Sequence, residues 1–234
     1  MKNFNLGEDG VCSHLSFLDS NEINTLLNDI NDFIIKEDVY NTSPQSSNRF
    51  DQMRAGNKAV VNPRFSKRDG DEGLIDVFNI DSVFSEESKT ISEKIKTKNM
   101  ETIKQNYPDH AYKFCSQNLY INKSVTKTRG FHRDSNIIPS RVKSFLYLTD
   151  VPDESFGPFC YIIGSHKGES QKYPNSPPHS AEYPLNEEDK DNCFVFKGIQ
   201  KGDMLMGLVV GAHRGLPQHK GRLRIVLVSS YDPK

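Results

Sequence analysis

Residues 142–165, VKSFLYLTDVPDESFGPFCYIIGS, contain two short runs rich in bulky apolar and aromatic residues, separated by a segment with Pro, Asp and Gly. Runs of this composition favour strands, and the segment between them favours a turn. Similar runs occur at 113–124, 192–198, 203–210 and 223–231, and none of the connections has a helical period. The pattern predicts an antiparallel β-sandwich or barrel, because a parallel sheet would need crossover helices between its strands.

The preceding half of the chain, residues 1–112, is predicted to be helical and rich in loops. Apolar residues recur every three or four positions after Asp19, and Glu22 stands where the second member of a capping box is expected. A helix is therefore predicted to begin at Asp19. A second helix is predicted from about Ser85 to Asn106.

Two polar segments interrupt this organisation, at 48–65 and 166–191. Loops of such length inside a compact domain often cover a binding site, and the alternative is a solvated surface loop. We expect one domain over 1–234, with a helical and loop-rich part at 1–112 and a β-rich core at 113–234.

The composition excludes several classes of protein. The 234 residues include 30 Lys and Arg against 31 Asp and Glu, so the basic surface that nucleic acids and anionic membranes require is not expected. No apolar run reaches the roughly 18 residues of a membrane span, and the N-terminus lacks an apolar signal segment. The four cysteines form no CxxC pair, which argues against a disulfide scaffold or a zinc site. A cytoplasmic protein with reduced, buried thiols is predicted.

The candidate functional residues begin with the segment TRGFHRDSN at 128–136. His132 and Asp134 are two positions apart, so in an extended chain both side chains lie on one face. Alone, this pair is weak evidence, since a histidine in a strand is more often a hydrogen-bonded structural residue. A second histidine, His213, follows the run at 203–210, and Arg224 lies in the last apolar run. Two histidines, one aspartate and a buried arginine match the facial triad of a non-heme Fe(II) oxygenase with a seat for an acidic cosubstrate.

Two arginines compete for the second role, because Arg222 and Arg224 alternate onto the same face of a strand. Arg224 is favoured because it lies deeper among apolar neighbours, where a guanidinium is costly unless an anion meets it. Whether Arg222 shares the role is left open by the sequence.

The stretch from TRGFHRD through FLYLTDVPDESFGPFCYIIGSHKG to GAHRG and GRLRIVLVSSY resembles the phytanoyl-CoA dioxygenase-like family of Fe(II)/2-oxoglutarate oxygenases. The resemblance covers about residues 113–231. It implies a mainly β chain with N-terminal helices and a double-stranded β-helix (jelly-roll) core. It also implies a set of site residues: iron bound by His132, Asp134 and His213, the far carboxylate of 2-oxoglutarate held by Arg224, and Tyr147 close to 2-oxoglutarate. An ordinary core aromatic is the alternative for Tyr147.

The activity implied by the resemblance is that of a 2-oxoglutarate-dependent dioxygenase using Fe(II), 2-oxoglutarate and O2. The expected reaction is hydroxylation of an unactivated C–H bond of a soluble small molecule, with release of succinate and CO2. Desaturation or ring closure on the same scaffold is an alternative, as is a cupin-type dioxygenase without a cosubstrate. A non-catalytic jelly-roll protein that binds or senses a ligand is the alternative from another class.

Overall fold

The structure is a computed structural model that describes residues 3–42, 58–64, 71–135, 137–167 and 185–234. Its helices are α1 (Leu6–Asp9), α2 (Ser20–Lys36), α3 (Glu86–Asn106) and α4 (Glu187–Asp191). Its strands are β1 (Val11–His14), β2 (Val60–Pro63), β3 (Glu72–Phe78), β4 (Tyr112–Lys127), β5 (Val142–Tyr147), β6 (Phe159–Ile162), β7 (Cys193–Val195), β8 (Met204–Leu208), β9 (His213–Gly215) and β10 (Leu223–Pro233).

The strands form two antiparallel sheets. The large sheet has the order β1-β8-β5-β10-β4-β3-β2, and the small sheet has the order β7-β6-β9. A bridge between His132 and His213 continues the small sheet beyond β9. Aromatic and aliphatic residues of both sheets meet in one buried cluster, which includes Tyr147, Phe159, Tyr161 and Val226. The prediction of a mainly β chain with a jelly-roll core is confirmed.

Helices α2 and α3 cover the outer face of the large sheet. Asp19 caps α2 through the predicted capping box with Glu22, and Ser85 caps α3. Both predicted helices are therefore confirmed within one residue. Ile30 of α2 and Ile95 of α3 pack in one core with residues on the outer face of the sheet. These sheet residues include Leu119, Leu146 and Leu227. The sheet is thus buried on this side and leaves its other face to line a cavity.

Residues 1–112, predicted to be helical and rich in loops, also contain the strands β1, β2 and β3. These strands are short or polar, and their pairing partners are distant: β1 pairs with β8, and β3 pairs with β4. Strands whose stability depends on pairing with distant segments need not show the alternation of apolar and polar residues that predicts a strand from sequence. The segment 166–191 also contains a short helix, α4, which Asn186 and Asp189 cap reciprocally.

The two polar segments predicted at 48–65 and 166–191 lie partly outside the described residues. The positions concerned are 48–57 and 65 in the first segment and 168–184 in the second.

All four cysteines are unpaired. The expectation that they are buried holds for Cys12 and Cys160, whereas Cys115 is exposed and Cys193 is half-buried. In the described parts of the chain, no helix combines the length and apolar character needed to cross a membrane.

Candidate metal centre and its cavity

Two histidines are placed side by side by backbone pairing. The N–H of His132 donates to the carbonyl of His213, and the N–H of His213 donates to the carbonyl of His132, both at 3.0 Å. Their imidazole rings are 4.7 Å apart between centroids, and both residues are buried. One reciprocal pair of backbone hydrogen bonds therefore brings together two histidines that are 81 positions apart in the sequence.

The orientation of both rings is fixed by main-chain carbonyls. Nδ1 of His132 lies 3.0 Å from the carbonyl oxygen of Gly130, and Nδ1 of His213 lies 2.9 Å from that of Gly211. A carbonyl only accepts, so each Nδ1 carries the proton and donates. Each Nε2 therefore keeps a lone pair for a ligand, the arrangement found for metal-binding histidines.

Asp134 completes a group of three possible metal ligands. Its Oδ1 lies 3.7 Å from Nε2 of His132, and its Oδ2 lies 3.7 Å from Nε2 of His213. The ligand atoms of the three residues all lie within 4.8 Å of one another. The backbone N–H of Asp134 donates to the carbonyl of Val209, which anchors the carboxylate in this position.

A buried lysine balances the carboxylate. Nζ of Lys143 lies 2.6 Å from Oδ2 of Asp134, and the two side chains are 17% and 10% exposed. Burial alone would raise the pKa of Asp134, but the ammonium of Lys143 holds it well below its ordinary value. Burial lowers the pKa of His132 to about 3, and the neighbouring His213 and Arg129 act in the same direction. The site thus holds an ionised carboxylate beside a neutral imidazole, the protonation states that metal binding requires.

The three residues line a cavity of about 680 Å³ between the sheets. The other two residues predicted for the site, Tyr147 and Arg224, line the same cavity. The structure therefore brings all five predicted site residues together. Its remaining lining comes largely from the cavity-facing positions of β3, β4, β5 and β10.

Arg224 lies deep in this cavity, with 8% of its surface exposed. Its Nε atom is buried and has no hydrogen-bond partner among the described residues. The guanidinium packs on Gly215, so that a Cβ atom at that glycine would lie 3.3 Å from Nη2. Burial raises the pKa of Tyr147 to about 12, although the charge of Arg224 opposes the increase. The buried Nε points to a missing hydrogen-bond acceptor.

Arg222 is placed differently from Arg224. It precedes the first residue of β10, is exposed, and stacks its guanidinium 4.6 Å from the centroid of Phe156. Because the Arg222 side chain packs on Phe156 and lies before the strand begins, it does not share the cavity face of Arg224.

Several lining residues were missed at the level of sequence. Lys143 shares a strand face with Tyr147, four positions later, and this period-two relation was the available signal. Tyr120 and Asn122 follow the same rule on β4. Arg214, which directly follows His213, is half-buried, lines the cavity and donates through Nη2 to Oγ1 of Thr128 at 2.8 Å.

No family model and no curated sequence matches the chain. Among solved structures, the non-heme α-ketoglutarate-dependent carbocyclase SnoK of nogalamycin biosynthesis has a TM-score of 0.63 at 13% identity, over 97% of this chain and 80% of that one. The epimerase SnoN, in complex with Fe3+, α-ketoglutarate and nogalamycin RO, has a TM-score of 0.62 at 12% identity, with the same two coverages.

HygX from Streptomyces hygroscopicus, with nickel, 2-oxoglutarate and hygromycin B bound, has a TM-score of 0.60 at 12% identity, over 98% of this chain and 85% of that one. The chain shares the fold of these proteins. At such low sequence identity, the similarity establishes the fold alone. The chemistry of the site has to be argued from its own residues.

Proposed function

We propose that the protein is an Fe(II)- and 2-oxoglutarate-dependent dioxygenase acting on a soluble small molecule. The observation that carries the proposal is one cavity in which two imidazole Nε2 atoms and a carboxylate converge. Further along it, the buried Nε of Arg224 has no hydrogen-bond partner within the described parts of the chain. The first group suits a divalent metal, and the second suits the carboxylate of a cosubstrate.

Iron would be held by His132, Asp134 and His213. Two imidazoles and one carboxylate are a donor set suited to Fe(II), and three protein ligands leave coordination positions for other molecules. The fit rests on the buried Nε2 lone pairs, which main-chain carbonyls aim into the cavity.

2-Oxoglutarate would be held at its far carboxylate by Arg224, with Tyr147 beside it. The guanidinium lies against Gly215, two residues along β9 from His213. Two residues of a strand span about 6.6 Å, a length comparable to that of a five-carbon dicarboxylate. A metal held in the proposed centre would, with 2-oxoglutarate and O2, supply an oxidant for C–H bonds, with release of succinate and CO2.

The protein's own contribution is orientation and exclusion of water. The Nδ1 hydrogen bonds fix both imidazoles, and the ring of Phe159 lies 5.8 Å from that of His213. Tyr161 stacks on the same imidazole, with ring centroids 6.5 Å apart. These apolar rings shield one side of the centre, so that a substrate approaches from the cavity.

Hydroxylation is the reaction we favour, and oxidative ring closure or epimerisation is the second candidate. The second candidate is supported by SnoK and SnoN, which share the fold and are a carbocyclase and an epimerase. The mass of the product separates the three reactions, because hydroxylation adds one oxygen atom, ring closure removes two hydrogens and epimerisation changes nothing.

Three further assignments belong to this proposal. We place the chain among proteins similar to the phytanoyl-CoA dioxygenase-like family, as one domain over residues 1–234. We also assign it to the cytoplasm, where Fe(II) and reduced thiols persist. The near-neutral net charge of −1 supports a small-molecule substrate over a nucleic acid or a membrane surface.

The test is an anaerobic titration of the metal-free protein with Fe(II) and then 2-oxoglutarate, followed by absorption spectroscopy. A visible metal-to-ligand charge-transfer band that needs both components is expected, and succinate should form when O2 is admitted with a substrate. Absence of the band would overturn the proposal. A band without any succinate over a broad small-molecule screen would favour the non-catalytic ligand-binding alternative.

A further inference from the structure

The cavity continues past the metal centre into a second polar region, which the proposed reaction has not yet used. In the large sheet, Ser230 of β10 pairs with Ser116 of β4 on one side and with Lys143 of β5 on the other. Side chains of directly paired residues share a face. All three line the cavity. They form one polar row across three adjacent strands, which we call the Lys143 row.

The Lys143 row and Arg224 lie at opposite ends of the cavity. Arg224 and Ser230 are six positions apart on β10, which corresponds to about 20 Å of strand. One 2-oxoglutarate molecule that reaches from the metal to Arg224 therefore leaves the Lys143 row uncovered. Space for a second small molecule remains at that end.

The floor between the two ends is polar along β4. Its cavity-facing positions are Ser116, Asn118, Tyr120 and Asn122, each a hydrogen-bonding residue. Oδ1 of Asn118 already accepts from the backbone N–H of Asn79 at 3.3 Å. A fatty acyl chain or another apolar substrate would leave the side-chain polar groups of Ser116, Tyr120 and Asn122 unpaired, at a cost of about 1–3 kcal/mol each by mutational data. A molecule carrying several hydroxyl or carbonyl groups would satisfy them.

The charge of Lys143 adds a second requirement. Among the described residues, its ammonium bonds only Oδ2 of Asp134, although it has three donors. When Asp134 also binds a divalent metal, its negative charge is divided between two cations. A buried ammonium beside a divalent metal then needs a further anion.

We propose that the substrate is a hydroxylated small molecule with an anionic group, and that Lys143 binds this group with Ser116 and Ser230 beside it. The proposal rests on the proposed function, because it takes Asp134 as a metal ligand. Lys143 is then a residue that determines substrate specificity, and the anion it holds is placed next to the reacting centre.

The test uses matched probes, each an acid and its neutral amide or methyl ester: D-gluconate with D-gluconamide, D-glucuronate with D-glucuronamide, and shikimate with methyl shikimate. Binding is measured by the shift in melting temperature of protein loaded with Ni(II) and 2-oxoglutarate. At least one acid should bind about tenfold or more tightly than its neutral partner. Lys143→Gln should abolish the difference, Lys143→Arg should retain part of it, and Ser230→Ala should weaken binding of both members of the pair.

Lys113→Gln is the matched control, because Lys113 is an exposed lysine of β4. It should leave the preference for the acid unchanged. Circular dichroism and the melting temperature of the metal-free variants establish that each one is folded. If Lys143→Gln does not fold, the comparison of Lys143→Arg with wild type decides, since a bulkier cation in the same place should change which acid is preferred.

Equal binding of acids and neutral partners, binding of neither, or an acid preference that survives in Lys143→Gln would overturn the proposal. So would a loss of 2-oxoglutarate affinity in Lys143→Gln equal to its loss of probe affinity, because Lys143 would then serve the cosubstrate. The anaerobic Fe(II) and 2-oxoglutarate titration of the wild type is run in parallel. A charge-transfer band in that titration keeps the failure of this inference distinct from a failure of the proposed function.

Discussion

The guanidinium of Arg224 lies against the backbone of Gly215, where an added Cβ would stand 3.3 Å from Nη2 and 3.5 Å from Oδ2 of Asp71. The glycine carries no side chain between the two sheets at this point. The arginine can therefore occupy the end of the cavity beside β9. The position of the charge depends on the size of residue 215.

We predict that Gly215→Val weakens 2-oxoglutarate binding about fivefold or more, because overpacking of about 1 kcal/mol or more displaces the guanidinium. Gly215→Ala should have a smaller effect in the same direction. The measurement is the concentration of 2-oxoglutarate that half-saturates the charge-transfer band. Unchanged affinity in Gly215→Val would show that Arg224 does not hold the cosubstrate in this position.

Arg224→Ala should raise the apparent constant for 2-oxoglutarate roughly 30-fold or more, because truncation of a buried charge-assisted contact costs about 2–5 kcal/mol. Iron affinity should change little. Arg224→Lys should recover part of the loss, since a lysine offers a point charge and no fork. The matched control is Arg222→Ala, which removes the exposed arginine that stacks on Phe156. A severe defect in Arg222→Ala with a mild one in Arg224→Ala would reverse the assignment.

Much of the fold could be predicted because the relevant signals are local, whereas the full set of five site candidates came from the resemblance to a known family. Capping at Asp19 and Ser85 and the period of the apolar residues after them depend on neighbours within one helical turn. The runs that became β4, β5 and β10 are rich in apolar and aromatic residues. The pairing of His132 with Asp134 follows from the alternation of side chains along an extended chain.

What the sequence left open depends on contacts between distant residues. Strand β3 pairs with β4 across 42 to 55 positions, and its residues Asp76 and Leu74 give no clean alternation. The role of Lys143 depends on its ion pair with Asp134, which lies outside β5. The distance from Nζ of Lys143 to Oδ2 of Asp134 is 2.6 Å. Whether Arg222 shares the role of Arg224 stayed open, because no period along β10 predicts the contact of Arg222 with Phe156.

A buried amide ties helix α3 to the sheet. Nδ2 of Asn99 donates to Oγ of Ser144 at 2.8 Å and to the hydroxyl of Tyr231 at 3.0 Å. Asn99→Ala should lower the free energy of unfolding by about 1–3 kcal/mol, because both hydroxyl groups lose this partner in a buried place. Urea unfolding measures the change. Thr97→Ala, at an exposed position of the same helix, should change it by less than about 0.5 kcal/mol, and an equal loss in both variants would contradict the role of Asn99.

Stability of the metal-free protein should decline as the pH falls below about 6.5, and His14 should account for part of the decline. Burial, aided by Lys98, lowers the pKa of His14 from 6.5, and its Nε2 lies 3.1 Å from Oγ1 of Thr102. Below pH 6.5 the unfolded chain binds a proton that folded His14 resists, so protonation favours unfolding. Urea unfolding at pH 7.5 and 5.5 should show a smaller decline in His14→Gln than in wild type. The exposed His219→Gln is the control, and an equal decline in all three proteins would contradict the assignment.

His132→Ala, Asp134→Ala and His213→Ala should each lower Fe(II) affinity by about 100-fold or more, since even partners of the ligands typically contribute 10–100-fold. The fold should persist, because strand pairing between His132 and His213 uses backbone groups. Metal binding is measured by anaerobic competition with a chelator, and the fold by circular dichroism.

His219→Ala removes an exposed histidine near the same segment and should leave Fe(II) affinity unchanged. Asp134→Ala is expected to differ from the histidine variants in one respect, because it also leaves the buried ammonium of Lys143 without its ion-pair partner. Its melting temperature without metal should therefore fall the most, and Asp134→Ala combined with Lys143→Met should restore stability without restoring metal binding. Wild-type Fe(II) affinity in any of the three single variants would remove that residue from the centre.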